Sequence, residues 1–127
     1  MIVIDASTAL AGLLNNGKAR EMLATERVCA PDIVDAGVAD GLRRLTRHQK
    51  VGAEAAGAGL DTWRQLGVRR YPSRQLAQRV WELSETLAAA PATSAALAER
   101  LDIAWVTADP PGGASSEVTC LVTVVPN

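Results

Sequence analysis

Apolar positions along the chain fall into short unbroken runs and into longer stretches at helical spacing, and the two kinds alternate. Ile2, Val3 and Ile4 form the first run, and consecutive β-branched residues suit a strand covered on both faces. Ser7 to Leu14 reads as a helical segment, stopped at Asn15-Asn16-Gly17 because Asn and Gly tolerate the left-handed conformation that ends helices. Lys18 to Thr25 resumes with good helix formers such as Ala19, Arg20, Glu21, Met22 and Leu23. Pro31 and Asp32 predict the start of the next helix, along which Ile33, Val34, Val38, Leu42 and Leu45 recur at helical spacing. Val51 to Leu66 is Ala- and Leu-rich with Trp63 near its end, and predicts a further helix closed by Gly67.

The second half repeats the alternation. Val68 to Tyr71 is a short strand candidate, and Ser73 is placed to cap a helix running from Arg74 to Leu87, with Trp81 and Leu83 on its buried side rather than as stacking platforms for bases. Pro91 to Leu101 predicts a helix, Ile103 to Thr107 a strand, Pro110-Pro111-Gly112-Gly113 an irregular loop, and Val118 to Val125 a closing strand. Strands alternating with helices imply an α/β fold with a mostly parallel sheet covered on both sides. No internal repeat interrupts the pattern, so the expectation is a single domain over residues 1–127.

Composition narrows the picture. Hydrophobic residues make up 48% of the 127, Phe is absent and Trp occurs three times, so the core is expected to consist mainly of Val, Leu, Ile and Ala. A formal net charge of −1 argues against a protein that holds nucleic acid chiefly by a large positive field. Arg43, Arg44, Arg47 and Lys50 still collect at one helix end, where they form either a solvated complement to the helix dipole or a phosphate-binding patch. Cys29 and Cys120 are too few for a zinc cluster and read as small core hydrophobes. No basic leader precedes the first apolar run, and no run approaches the roughly 18 residues of a membrane span, so the expected location is the cytoplasm, with no membrane partner.

Two acids stand out by position. Asp5 ends the first apolar run and Asp109 follows the strand over Ile103–Thr107. In open α/β sheets, sites form beyond the carboxyl ends of the strands, so residues just after two parallel strands become neighbours. Carboxylates gathered there suit a hard cation such as Mg²⁺ or Mn²⁺, and phosphodiester cleavage is the chemistry that most uses such a cluster. The simpler role for Asp5 is to cap the helix that begins near Ser7.

The stretches MIVIDASTALAGLL, CAPDIVDAGVADGLRRL, VWELSETLAAAPATSAALAERL and WVTAD, in this order and spacing, resemble the PIN domain of VapC-type toxins of bacterial toxin–antitoxin pairs. The similarity runs over nearly the whole chain. It implies a three-layer α/β/α sandwich, a Mg²⁺- or Mn²⁺-dependent ribonuclease activity, a homodimer, and neutralisation by a small antitoxin. Four acids are typical of such a site. The first corresponds to Asp5, supported by the Ser7 hydroxyl, and the fourth to Asp109, with Thr107 in the T-x-D motif. At the second and third positions this chain has Gly37 and Pro91, neither of which offers a side-chain oxygen.

Asp40 lies three residues beyond Gly37 and would project from nearly the same helix face, so it is either a substitute ligand or a solvated helix residue. Glu85, Glu99 and Asp35 read as surface acids, and the lone His48 has no tie to Asp5 or Asp109 that would make it catalytic. Three functions remain open at this level. The chain is a VapC-like protein with a decayed ribonuclease site, a reduced one-metal ribonuclease using Asp5, Asp109 and Asp40, or a non-catalytic binding module that dimerises and binds an antitoxin-like partner.

Overall fold

The computed structural model describes residues 1–127. Five strands form one sheet: β1 (Ile2–Ile4), β2 (Val28–Pro31), β3 (Arg69–Tyr71), β4 (Ala104–Thr107) and β5 (Val122–Val124). Their order across the sheet is β3-β2-β1-β4-β5 and every pairing is parallel. The central strand β1 sets Val3 opposite Cys29 on one side and opposite Trp105 on the other. Its three residues are all buried, as a run without polar alternation requires in a sheet covered on both faces.

Alternation along the strands sorts the core into two layers. Ile2, Ile4, Val28, Ala30 and Val106 face the helices α1 (Ala6–Leu14), α2 (Lys18–Thr25), α3 (Val34–Arg47) and α4 (Ala53–Gln65). Val3, Cys29 and Trp105 face α5 (Ala77–Leu83) and α6 (Ala89–Leu101). The result is an α/β/α arrangement around a parallel sheet. With Phe absent, each layer holds one fully buried Trp, Trp63 on one side and Trp105 on the other. No helix is long and apolar enough to cross a membrane.

Several expected boundaries move. Pro31 closes β2 instead of opening a helix, a position where its missing N–H costs little at the strand end, and α3 begins only at Val34. Asp32 is drawn into the neighbouring turn, where its carboxylate accepts the Ser73 N–H at 3.3 Å. The stretch after Pro72 is a 3₁₀ turn over Ser73–Leu76 followed by α5, which ends at Leu83 rather than Leu87. The Ser84 hydroxyl donates to the Trp81 carbonyl at 2.7 Å, the kind of local side-chain bond that competes with helix continuation. Trp81 is 75% exposed, not buried, while Leu83 is in the core as expected.

Pro91 is the third rather than the first residue of α6, still within the first turn where no intrahelical donor is needed. Asn15 ends α1 and Gly17 precedes α2, both with extended backbone, not the left-handed conformation that their residue types allow. The loop after Pro111 carries a second 3₁₀ turn over Gly112–Glu117, and β5 is confined to Val122–Val124.

Candidate functional site

Asp5 leaves the carboxyl end of β1 and opens α1 as its N-cap, with extended backbone at φ −106° and ψ 178°. The capping geometry is complete: the Thr8 N–H donates to Asp5 Oδ1 at 3.1 Å. The Ser7 hydroxyl donates to the same oxygen at 2.6 Å. The other oxygen, Oδ2, accepts the indole N–H of Trp105 at 3.1 Å. Strand register explains this last contact. Trp105 stands opposite Val3, and Asp5 lies two residues on, just past the end of β1, so a long side chain on β4 reaches it diagonally. Asp5 is only 7% exposed, and three donors hold its two oxygens.

Ser7 and Thr107 tie the ends of β1 and β4 together. Ser7 Oγ gives its one proton to Asp5 and accepts the Ala108 N–H at 2.9 Å. Thr107 Oγ1 accepts the Asp109 N–H at 3.1 Å, and its own proton is shared between Ser7 Oγ and the Asp109 carbonyl, each at 3.2 Å. Behind them the Thr8 hydroxyl donates to the Val106 carbonyl at 2.8 Å. The T-x-D segment therefore fixes the backbone of Asp109 beside the Asp5 cap, while the Asp109 side chain is exposed to solvent.

The other candidates are placed differently. Asp40 forms an i,i+4 ion pair with Arg44 at 3.1 Å on the exposed face of α3, its side chain 68% exposed. No three His, Cys, Asp or Glu side chains are gathered as a metal cage, so Asp40 does not complete one with Asp5 and Asp109. Gly37 and Pro91 stand in α3 and α6 as backbone and ring.

Asp35 and Glu99 are not free surface acids. Arg70 donates from Nε and Nη2 to Asp35 at 2.6 and 2.8 Å, and the Trp63 indole adds a third bond at 2.8 Å. The Arg70 guanidinium holds the Asp35 carboxyl below its ordinary range. Glu99 is tied to Arg79 and to the Thr119 N–H. Glu85 is exposed, Cys29 is buried and Cys120 half-buried, both as free thiols.

A cleft of about 740 Å³ opens beside Ser7, between α1, α3 and the start of α4. Its walls include Leu10 and Gly41, and three of its lining side chains are Arg44, His48 and Lys50. Trp105 is the participant that residue patterns missed. The available signal was a Trp inside a short buried strand, where its N–H needs a partner.

A parallel sheet in the order found, with acids after two adjacent strands, is the α/β class to which PIN domains belong, and comparison with known proteins narrows it further. No family model matches the chain. It is 48% identical over 126 residues to the VapC ribonuclease Mb0985 of Mycobacterium bovis, covering 99% of each chain. The identity and coverage are the same for Ribonuclease VapC9 of Mycobacterium tuberculosis. Among solved structures it superposes on Mycobacterium tuberculosis VapC20, a Sarcin-Ricin loop cleaving toxin, with a TM-score of 0.64 at 22% identity, covering 92% of this chain and 95% of that one. The chain belongs to the VapC ribonuclease family.

The residues present do not fit a resident Mg²⁺ or Mn²⁺. Such ions demand near-octahedral oxygen coordination at close range, with carboxylates supplying part of it. Here Asp5 is engaged on both oxygens, Asp109 projects into solvent, and every buried side-chain polar atom in the molecule already has a hydrogen-bond partner.

Proposed function

We propose that residues 1–127 form a single VapC-type PIN unit of a toxin–antitoxin pair whose metal-dependent endoribonuclease site is inactive or weakened. The observation that carries this is the state of Asp5: the one acid of the site that is buried serves as a helix cap, and positions 37 and 91 hold Gly and Pro. Asp5 and Asp109 are the residues that would meet Mg²⁺ or Mn²⁺ in an active relative, with Ser7 and Thr107 orienting them. The expected partners are a second copy of the chain and a small antitoxin, in the cytoplasm.

The alternative, a non-catalytic module that dimerises and binds an antitoxin-like partner, is favoured by the cleft lined by Arg44, His48 and Lys50. That surface offers contacts to an acidic or phosphate-bearing partner without any chemistry. Purification of the chain co-expressed with the reading frame beside its gene tests both. A stable complex with a short protein, and no cleavage of structured RNA in Mg²⁺ or Mn²⁺, is expected. RNA cleavage that is abolished by Asp5→Asn would show a working nuclease, and a chain that captures no partner would remove the toxin–antitoxin role.

A further inference from the structure

We propose that Trp105 takes the place of a cation at this site: its indole N–H holds the Asp5 oxygen that would face a metal, and so fixes Asp5 as a structural cap. The inference rests on Asp5 being the first acid of a VapC-type site, and it assigns the loss of metal binding to a residue outside the acidic positions.

A carboxylate offers about four lone-pair directions. Ser7 and the Thr8 N–H use two on Oδ1, and Trp105 uses one on Oδ2, so one direction is left, beside the indole N–H. A Mg²⁺ ion binds oxygen at about 2.0–2.1 Å, so it would have to enter among N–H and O–H hydrogens that carry the same sign of charge as itself. Neither the indole nor the amide donor is free to leave. The Trp105 side chain is fully buried, β4 is locked in register with both β1 and β5, and the Thr8 amide belongs to the first turn of α1. An indole N–H thus satisfies the buried carboxylate without a metal, as a buried acceptor requires.

It follows that restoring acids at positions 37 and 91 is not sufficient to restore a cation site while Trp105 remains. Two measurements test this on the full-length chain with Mn²⁺ as the probe. In the wild type, the indole N–H proton signal of Trp105, assigned by its disappearance in Trp105→Phe, is followed as Mn²⁺ is added. Mn²⁺ is paramagnetic and erases signals of nearby protons, so a Trp105 signal that persists beside those of Trp63 and Trp81 is expected. Selective loss of the Trp105 signal would overturn the proposal.

The second measurement compares Mn²⁺ affinity by calorimetry in Gly37→Glu/Pro91→Asp with and without Trp105→Phe. Removing the competing donor is expected to tighten Mn²⁺ binding by about tenfold or more, the scale on which groups surrounding metal ligands act. Equal affinities would overturn the assignment to Trp105. If circular dichroism shows that Gly37→Glu prevents folding, Pro91→Asp with and without Trp105→Phe makes the same comparison. Neither result depends on a partner protein, so failure here is distinct from failure of the toxin–antitoxin role.

Discussion

The backbone of Gly37 on α3 runs so close to α1 that a Cβ built on it would lie 3.0 Å from the Cβ of Ala6, well inside ordinary van der Waals contact. One turn further on, a Cβ at Gly41 would collide with the Leu10 side chain. The two glycines thus form the groove into which Ala6 and Leu10 of α1 settle. At position 37 the absence of a side chain accompanies a close helix contact, and any side chain placed there asks Ala6 of α1 to give by a few tenths of an ångström.

This coupling gives opposite expectations for two glycines in helix interiors. Gly costs about 1 kcal/mol relative to Ala in a helix. At Gly57 on α4 nothing stands within 4 Å of a built Cβ, so Gly57→Ala is expected to stabilise the fold by about 0.5–1 kcal/mol. Gly37→Ala gains the same propensity but asks Ala6 of α1 to give by a few tenths of an ångström, and the net is expected to be zero or destabilising. Urea denaturation of the two variants checks this, and an equal gain at both positions would show that α1 yields freely.

Removing Asp5 distinguishes a cap from a strained functional acid by sign. Acids held in an active site against repulsion usually stabilise the protein when they are removed. Asp5 instead satisfies the Thr8 N–H, the Ser7 hydroxyl and the buried Trp105 indole. Asp5→Ala is expected to cost about 2–4 kcal/mol, combining a lost N-cap with an orphaned buried donor. Asp5→Asn retains one carbonyl oxygen and is expected to cost less. A rise in the urea midpoint for Asp5→Ala would contradict the capping role.

Trp81 is expected to contribute little to the stability of the chain. With 75% of its surface exposed, Trp81→Ser should change unfolding free energy by less than about 0.5 kcal/mol. Trp63 and Trp105 are 1% and 0% exposed, so acrylamide should quench mainly the Trp81 emission, and Trp81→Ser should remove most of the quenchable signal. An unchanged quenching curve would place Trp81 in contact with another molecule in solution.

What the sequence revealed follows from how local each signal was. Ile2–Ile4 and Lys18–Thr25 read correctly because an apolar run and a series of helix formers carry their own evidence. Pro31 misled, since the same residue suits a first helical turn and a strand end, and only the pairing of Pro31 with Tyr71 decides between them. Trp81 misled because α5 spans only seven residues, too short for apolar spacing to decide which of Trp81 and Leu83 faces the core. Asp5 was legible both as a cap and as a possible ligand. The partner that satisfies its second oxygen lies 100 residues away, so no spacing rule could find it.

Glu99 offers a prediction in which pH supplies the sign. Arg79 grips both of its oxygens, at 2.7 and 3.1 Å, and the Thr119 N–H adds a bond at 2.8 Å, tying α6 to the segment before β5. Burial pushes the Glu99 carboxyl up, but the bonds from Arg79 and Thr119 outweigh it and leave the group below its ordinary value of 4.5. A depressed carboxyl stabilises the fold above its unfolded value and loses that contribution as pH falls through the folded one. Glu99→Gln should therefore cost about 1–3 kcal/mol at neutral pH, since it leaves part of a half-buried guanidinium unpaired. The gap between wild type and variant should stay constant down to about pH 5 and close below it, because both chains then carry a neutral group at this position. Denaturation midpoints measured across that range check the expectation. A gap that persists unchanged at pH 3 would mean that Glu99 acts through packing and not through its charge.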